Sequence, residues 1–503
     1  MNWNEGYYTD REYTYGYYRE LNPYRSVLAL LHSGFTPPRF QTACELGFGQ
    51  GVSLAVHAAS SHLQWWGTDF MPSHGFFARE VCSGLDRPPT VFDDSFSEFL
   101  HRDLPGFDFI GLHGVLSWIS PSARRDVFDF VRRRLNPGGV LYVSYNSAAG
   151  WGPLASVRRT LRQCFLRQSA RLGFEGRVRA AVAETIASLK GASAYQKLYP
   201  TGVSKLEELQ KLSPNYLAHE LLNEHWELFQ FEDLAAELQA CKLDYCTSMH
   251  IPEHFEPLYF TEEQVQVMEG LGVNDRESLR DVLMCQTFRR DVWQRGSMPW
   301  RTVDSPLLED YVVHAISDFT DFPFELKGGL RKAALERSHY EPIIGALRRQ
   351  PRWLLGDLIS QFGRAAVECL MVLQHFDLIG LSVESEGVGH EGLMAFNRRL
   401  IEQGAIGGQL RVLASPVSGG VSVDHVSLIL LHLIGRGTVR SQLGPACQSF
   451  LQAHGFSLRD QAGMAFLDPA ASLAECERRI ENFYASIPLR LKLLGLEELL
   501  HQH

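Results

Sequence analysis

Three glycines at alternate positions interrupt a short apolar run near the start of the chain. The run reads TACELGFGQG and covers residues 42–51. Glycine lets a backbone adopt left-handed conformations and lie close to a ligand. Such a loop commonly joins the first strand of a parallel sheet to the helix that follows. We therefore predict that residues 42–51 end a first strand and open a ligand site.

Acidic residues follow the next two predicted strands. Asp69 ends the second strand, downstream of the glycine loop, and Asp93 and Asp94 follow the third strand. A carboxylate after the second strand can accept hydrogen bonds from a ribose diol. A carboxylate after the third strand can accept one from an adenine amino group, and Phe96 can cover the ring. The pattern predicts an adenosine-containing ligand.

Alternating strands and helices between residues 40 and 146 must position these side chains. This alternation is typical of a parallel sheet covered by helices on both faces. It predicts an α/β, Rossmann-like, doubly wound domain. The expected strands are 40–46, 63–69, 90–92, 107–113 and 140–145, with helices at 52–59 and 121–134 and an NPGG turn at 136–139.

The spacing of the glycines distinguishes between two kinds of ligand that Rossmann-like domains bind. Pyrophosphate-binding domains typically use Gly-x-Gly-x-x-Gly, whereas this loop is evenly spaced and has Glu45 two positions ahead of it. With the two acidic positions and the NPGG turn, it resembles the class I S-adenosylmethionine-dependent methyltransferases. The resemblance implies S-adenosylmethionine as cofactor. It implies cofactor-binding roles for Glu45, Gly47, Phe48, Gly49, Gly51, Asp69, Phe70, Asp93, Asp94, Ser95, Phe96, His113, Tyr15 and Tyr17.

Further segments resemble one branch of these enzymes, in which a methyltransferase regulatory domain follows the catalytic domain. They are HGVLSWI at 113–119, LYVSYNS at 141–147, YLAHELL at 216–222, FEDL at 231–234 and FRRDV at 288–292. The best-understood members are bacterial protein-lysine methyltransferases, so the resemblance implies a protein side chain such as lysine as methyl acceptor. Two departures leave the acceptor open. The lysine enzymes usually have Pro-Gly-Trp after the fifth strand and a Gln-Thr-His-Pro-like arm, where this chain has AAGW at 148–151 and YTYGYYRELNP at 13–23.

Three residues are candidates for the transfer step, in which the protein must align donor and acceptor and exclude water. Tyr145 and Asn146 follow the fifth strand and could orient an acceptor amine, or simply cap the strand end. His113 ends the fourth strand and is a candidate general base, because its unperturbed pKa is near 6.5; a packed core histidine is the alternative. A lysine acceptor, with a reference pKa near 10.4, would lose its proton more readily in a dry cleft.

The N-terminal arm is rich in tyrosine, including Tyr7, Tyr8 and Tyr13 as well as Tyr15 and Tyr17. Tyrosine offers an apolar face and a hydroxyl together. The arm is therefore either a flap over the cleft or an aromatic segment packed on the domain.

Composition excludes several classes of function. The 503 residues carry a net charge of −10, which disfavours nucleic acid as the main partner. The nine cysteines never occur as Cys-x-x-Cys, and we expect no metal site. No apolar window is long enough to span a membrane and the start of the chain lacks the features of a signal peptide, so we expect a cytoplasmic protein without membrane contact. The oligomeric state stays open, with a homodimer among the expectations.

The length predicts several domains. Mainly α-helical domains should follow the Rossmann-like one, including a winged-helix-like module. Two other functions remain open: a small-molecule or glycan methyltransferase, and a cofactor-binding regulatory protein without turnover. The expected boundaries are 1–190 for the methyltransferase domain, 191–213 for a linker or cap, 214–300 for a helical regulatory domain, 301–390 for the winged-helix-like domain and 391–503 for a C-terminal helical domain.

Overall fold

The computed structural model describes residues 15–191, 193–212, 214–301, 308–383, 389–460, 464–466 and 468–501. The predictions for Tyr7, Tyr8 and Tyr13 lie outside these ranges, while Tyr15 and Tyr17 lie within them. No helix in the described part of the chain combines the length and the hydropathy that crossing a membrane requires.

A central sheet of seven strands organises the N-terminal part of the chain. The strands are β1 (Thr42–Leu46), β2 (Gln64–Thr68), β3 (Thr90–Phe92), β4 (Phe107–Leu112), β5 (Leu135–Asn146), β6 (Leu243–Ser248) and β7 (Phe288–Arg295). Their order in the sheet is β3-β2-β1-β4-β5-β7-β6. The first five strands run parallel, and β7 is antiparallel to both of its neighbours. The predicted Rossmann-like, doubly wound fold is confirmed.

Helices cover both faces of this sheet, because parallel strands are apolar on both sides. The helices are α1 (Arg25–His32), α2 (Val52–Ser60), α3 (Pro72–Cys82), α4 (Phe96–Leu100) and α5 (Pro121–Arg134). One face of the sheet packs against α1 and α2, and the opposite face packs against α4 and α5.

A set of helices follows β5 and precedes the last two strands of the sheet, and we call residues 148–222 the cap. The helices are α6 (Ala148–Arg167), α7 (Gly173–Leu189), α8 (Ala194–Leu198), α9 (Pro200–Leu209) and α10 (Pro214–Leu221). They share a small apolar core that includes Leu161, Val182, Val203 and Leu206. The segment predicted as a linker or cap is thus helical over most of the part that is described.

The prediction of a helical segment at 214–300 is wrong in one respect, since β6 and β7 lie within it and complete the central sheet. The β7 sequence FRRDVWQR carries three charges in its first four positions and therefore has the pattern of a polar surface. Two of those charges are buried as an ion pair between Arg289 and Asp291. The helices of this segment that follow the cap are α11 (Phe231–Ala240), α12 (Glu262–Glu269) and α13 (Val273–Met284).

The segment at 308–383 contains helices and short strands, and the winged-helix assignment stays a prediction. The elements are β8 (Tyr311–Ala315), β9 (Glu325–Lys327), β10 (Lys332–Ala334), α14 (Arg337–Arg349), β11 (Arg352–Leu354), α15 (Leu355–Phe362), α16 (Ala366–His375) and β12 (Ile379–Val383). Strand β8 lies between β11 and β12 in a small antiparallel sheet.

The C-terminal segment packs directly on the Rossmann-like domain. Its elements are α17 (His390–Gly407), β13 (Val412–Ser415), β14 (Gly419–Ser422), α18 (His425–Gly435), α19 (Leu443–Ala453) and α20 (Pro469–Leu493). Val52 and Val56 of α2 share a buried core with Leu413 and Val421 of the β13–β14 hairpin. This hairpin therefore lies against the helix that follows the glycine loop.

Candidate functional site

The glycine loop lies where β1 ends, and its backbone requires glycine. Gly47, Gly49 and Gly51 have φ angles of 71°, 57° and 70°, in the left-handed region. A Cβ at Gly51 would lie 2.7 Å from the Cβ of Ala78 in α3, and one at Gly47 would lie 2.7 Å from a methyl group of Val115. The loop is thus held close to α3 and to the segment that follows β4.

Asp69 fixes this loop from the end of β2. Its Oδ2 accepts a hydrogen bond from the Gly49 amide at 2.8 Å. Its Oδ1 accepts one from the Met71 amide at 3.1 Å and lies 2.9 Å from Nδ1 of His74. The carboxylate is therefore largely occupied in shaping the loop. The ribose contact of Asp69 stays a prediction, and it would use the remaining lone pair.

Glu45 is buried beside the loop with one carboxyl oxygen unsatisfied. The residue is 3% exposed, and its Oε2 has no hydrogen-bond partner among the described residues. Burial, and then the charge of Asp69, raise the pKa of Glu45 to about 8. A buried carboxyl oxygen without a partner is costly. A cationic group of a ligand over the loop would satisfy this oxygen.

Both carboxylates that follow β3 are paired with arginine side chains. Asp94 accepts two hydrogen bonds from the Arg102 guanidinium, at 2.7 and 2.8 Å, and Asp93 lies 3.2 Å from Arg79. Ser95 caps α4 in a reciprocal capping box with Glu98. An adenine contact by either acid would compete with these arginines, and it stays a prediction, as do the roles of Ser95, Phe48, Phe70 and Phe96.

His113 lies at the end of β4 in a largely aromatic environment. The centroid of the Tyr18 ring stacks 4.0 Å from that of His113, the Phe288 ring meets it edge-on at 5.8 Å, and its Nδ1 lies 2.8 Å from the hydroxyl of Tyr142. Burial lowers the pKa of His113 to about 4, although Glu20 opposes this. The imidazole is therefore neutral at pH 7 and a weak base. This favours the alternative of a packed, positioning histidine over a general base.

Tyr145 lies among buried charged side chains, and its role in orienting the acceptor stays a prediction. Its side chain is fully buried, and its hydroxyl donates a 2.6 Å hydrogen bond to Asp291. Side chains alternate along a strand, so Tyr145 lies on the opposite face of β5 from Tyr142. There it joins a buried charge network in which Arg289 pairs with Asp291, Asp281 and Glu277.

Asn146 is on the same face of β5 as Tyr142 and therefore remains a candidate. Its backbone N–H donates a hydrogen bond to the Ser117 hydroxyl at 2.9 Å, and its backbone carbonyl accepts one from the Phe229 backbone N–H at 3.0 Å. These contacts fix the backbone at the end of the strand. The residue is 5% exposed and is held at the edge of the sheet where β1 and β4 also end.

The described part of the N-terminal arm, from Tyr15 onward, packs on the domain, and its Tyr18 contacts the site. The Tyr17 hydroxyl accepts a 2.9 Å hydrogen bond from the Gly420 amide in the C-terminal hairpin, and its cofactor role stays a prediction. Tyr15 meets Phe77 edge-on at 5.1 Å, and its cofactor role stays a prediction. Tyr18, which the sequence did not single out, is the arm residue that contacts His113.

Two further residues near His113 were not predicted from the sequence. Glu20 lies in the arm and Arg290 lies in β7, with 3.6 Å between Glu20 Oε1 and Arg290 Nε. Burial raises the pKa of Glu20, and the positive charge of Arg290 opposes this. Nothing in the local sequence marks this pair, because its members are far apart along the chain and meet only once β7 joins the sheet.

Comparison with known proteins agrees with this architecture. Residues 213–295 match the family model of a predicted methyltransferase regulatory domain. An uncharacterised protein of Synechocystis is 29% identical over 513 residues, covering 98% of this chain and 99% of the relative. An uncharacterised protein of Rickettsia prowazekii is 28% identical over 54% of this chain and 49% of its own length.

Among solved structures, PKMT2 from Rickettsia typhi in complex with AdoHcy has a similar fold, with a TM-score of 0.67 at 15% identity over 96% of this chain and 99% of that chain. A second structure of PKMT2 gives a TM-score of 0.61 at 16% identity. The likeness extends beyond the sheet to the cap and the C-terminal domains, since nearly all of both chains is covered.

Proposed function

We propose that this protein is an S-adenosylmethionine-dependent methyltransferase whose acceptor is a protein side chain such as lysine, because it combines the Rossmann-like methyltransferase fold with a methyltransferase regulatory domain. The observation that carries the proposal is the loop at the end of β1. Its three left-handed glycines are tied to Asp69, and Glu45 beside it has an unsatisfied carboxyl oxygen.

The described residues fit this cofactor. The glycine loop leaves the backbone bare at the position where the cofactor's amino-acid and ribose parts would lie. Glu45 offers a buried acceptor for its charged amine, and the half-buried Phe70 follows Asp69 at the end of β2. The cofactor supplies a methyl group already activated on a sulfonium sulfur.

The chain's own residues then have to orient the acceptor and keep water out. Asn146 carries an amide side chain at the end of β5, and an amide oxygen can accept a hydrogen bond from an amine. Tyr18 and Phe288 cover His113 and would narrow the space through which the acceptor amine approaches the cofactor. Neutral His113, hydrogen-bonded to Tyr142, provides a fixed wall without adding positive charge beside a cationic cofactor.

A protein acceptor is supported by three features. PKMT2 from Rickettsia typhi matches nearly the whole chain in fold, and the sequence resembles protein-lysine methyltransferases at 113–119 and 141–147. In addition, the cap and the C-terminal domains surround the Rossmann-like domain with surface that a small acceptor would not need.

The test is transfer of label from methyl-labelled S-adenosylmethionine to a lysate, with cofactor affinity measured separately by calorimetry. Label that precipitates with protein supports the proposal. Label confined to small molecules supports the alternative acceptor, and cofactor affinity without any transfer supports a regulatory protein. Gly49→Val is the control, because a β-branched residue does not tolerate a φ of 57°.

A further inference from the structure

The cap holds a lysine amine on an aromatic ring close to the end of β5. Trp151 lies in the first turn of α6, which begins directly after Ser147 caps the helix. The Nζ of Lys205, on α9, lies 3.7 Å from the centroid of the Trp151 indole. An ammonium over an indole face is attracted by the ring quadrupole. A positively charged amine is thus placed beside the strand that carries Asn146.

The helix that carries Trp151 begins against the loop that leads into β7. The Gly150 amide, next to Trp151, donates a 2.8 Å hydrogen bond to the Gln286 carbonyl. Cys285, at the start of the same loop, is an electrostatic neighbour of Lys205. The loop continues into Phe288, whose ring contacts His113. Lys205 is therefore linked, through Trp151 and Gly150, to the segment whose Phe288 borders His113.

A second set of neighbours connects Lys205 to the same histidine. Glu220 on α10 interacts electrostatically with Lys205 and is hydrogen-bonded to Tyr216. Tyr216 in turn is an electrostatic neighbour of Tyr18, which stacks on His113. Burial raises the pKa of Glu220 to about 7. A carboxyl that can exchange a proton near neutral pH is thus a neighbour of the cap lysine.

Burial also lowers the pKa of the Lys205 amine, against the raising effects of Cys285, Glu208 and Glu220. The chain has only eight lysines against forty arginines, and four of the eight lie between positions 190 and 211. Among these four, Lys190 is paired with Glu207 at 2.5 Å. Lys205 differs from it in that its amine rests on an aromatic face.

We propose that Lys205 is itself a methyl acceptor of this protein, held by the Trp151 ring at the entrance of the candidate site. The inference rests on the proposed function. In the step, the ammonium of Lys205 first loses a proton to Glu220. The Nζ lone pair then forms the new nitrogen–carbon bond as the carbon–sulfur bond of S-adenosylmethionine breaks, and the electron pair of that bond stays on sulfur, which gives AdoHcy.

The first test is site mapping by mass spectrometry. The purified full chain is incubated with S-adenosylmethionine carrying a deuterated methyl group, and its peptides are sequenced. We expect deuterated methyl on Lys205 and none on Lys190 or Lys211. Lys205→Arg should remove this label while the labelling of lysate proteins continues. Equal labelling of all cap lysines would overturn the proposal, because it would reflect exposure alone.

Trp151→Leu tests the holding ring. We expect it to slow labelling of Lys205 about tenfold, the size of a partly desolvated cation–π contact, with cofactor affinity unchanged. Glu220→Gln removes the proton acceptor and should move the half-maximal pH of labelling upward. A purely structural Trp151 would leave the labelling rate of the folded variant unchanged, and that result would contradict its role.

The second test needs no turnover. With the lysine side chains labelled by ¹³C, the eight ε-carbon signals of the cofactor-free protein can be titrated by NMR. Lys205 should titrate below Lys190, because burial disfavours its charged form. An unshifted Lys205 overturns the proposal. Label on lysate proteins with none on Lys205 overturns it while leaving the proposed function intact, and absence of label on any protein removes both.

Discussion

Glu45 is protonated in the folded protein at neutral pH, because its pKa is raised to about 8. A cationic group bound next to its free Oε2 would lower that pKa and release the proton. We predict that cofactor binding at pH 7 releases about one proton. Titration calorimetry in two buffers of different ionisation enthalpy measures this number directly. Glu45→Gln should make the binding enthalpy the same in both buffers, and a wild-type enthalpy that does not depend on buffer would exclude Glu45 from the contact.

The same residue gives a stability prediction with a defined sign. A carboxyl whose folded pKa is raised contributes its full stability below its unfolded pKa of about 4.3 and loses that contribution as pH rises through about 8. The stability of Glu45→Gln relative to wild type should therefore grow by roughly 2–4 kcal/mol between pH 5 and pH 8.5. Urea unfolding at the two pH values tests this. A constant difference between the two proteins would contradict it.

Asp69→Ala should weaken cofactor binding by removing the anchor of the glycine loop. The Gly49 amide would lose its acceptor, which costs about 1–3 kcal/mol, so we expect both a lower melting temperature and at least a tenfold weaker affinity. The control is Asp129→Ala, whose half-exposed carboxylate pairs with Arg132 on the surface of α5. Affinity that falls as far in the control would mean that the loss is not specific to the loop.

For single residues, the local sequence spacing predicted where a side chain lies better than it predicted what the side chain contacts. The glycine loop, Glu45 and Asp69 lie together as expected, because each is adjacent in sequence to the strand end that places it. Tyr145 could not be assigned from sequence, because its face of β5 is decided by Asp291, which comes 146 residues later. The contact of Tyr17 could not be inferred for the same reason, since its hydrogen-bond partner is Gly420.

Among the elements, the arm and the C-terminal hairpin β13–β14 form one unit. A Cβ at Gly420 would lie 2.2 Å from the Tyr17 ring. Gly420→Val should therefore displace the arm, move Tyr18 from His113 and weaken cofactor or acceptor binding, although residue 420 is remote from the site. Gly407→Ala is the matched control, because nothing lies within 4 Å of its added Cβ. Hydrogen exchange of residues 15–21 should rise only in Gly420→Val; equal protection in both variants would show that the arm does not depend on the hairpin.

The element predictions were reliable where apolar periodicity is strong and failed where charge is buried. The parallel strands β1, β2 and β4 are short apolar runs at the predicted places. Strand β7 was missed because Arg289 and Asp291 are buried as a pair. Sequence patterns assume that charges face water, and this strand is an exception that only its partners on α13 explain.

At the scale of the whole molecule, the domains share their cores. One apolar cluster joins α1 and the sheet to α14, α15 and α16, and another joins α2 to the C-terminal hairpin. We predict a single calorimetric unfolding transition. Saturating S-adenosylmethionine should shift this single transition to higher temperature. At a hundredfold excess over Kd, it should raise the free energy of unfolding by about 2.7 kcal/mol. Two transitions, with only one responding to cofactor, would show that the C-terminal domains unfold on their own.

Length and composition predicted several domains but not how they are joined. Ion pairs join the winged-helix-like segment to the start of the Rossmann-like domain, since Asp377 pairs with both Arg19 and Arg25. Contacts between groups so distant along the chain depend on the shapes of the folded elements and cannot be inferred from spacing.

The position of β7 also determines how this protein can be made. Strand β5 ends at Asn146, whereas β7 begins only at Phe288. A ribosome adding about 5–20 residues per second needs on the order of 10 s to cover that distance. During this interval the nascent chain has a 12-residue strand with an open edge, which other strands can pair with. Codon usage between these two positions, and chaperones that shield the emerging edge, should therefore govern the soluble yield more than codon usage elsewhere in the gene.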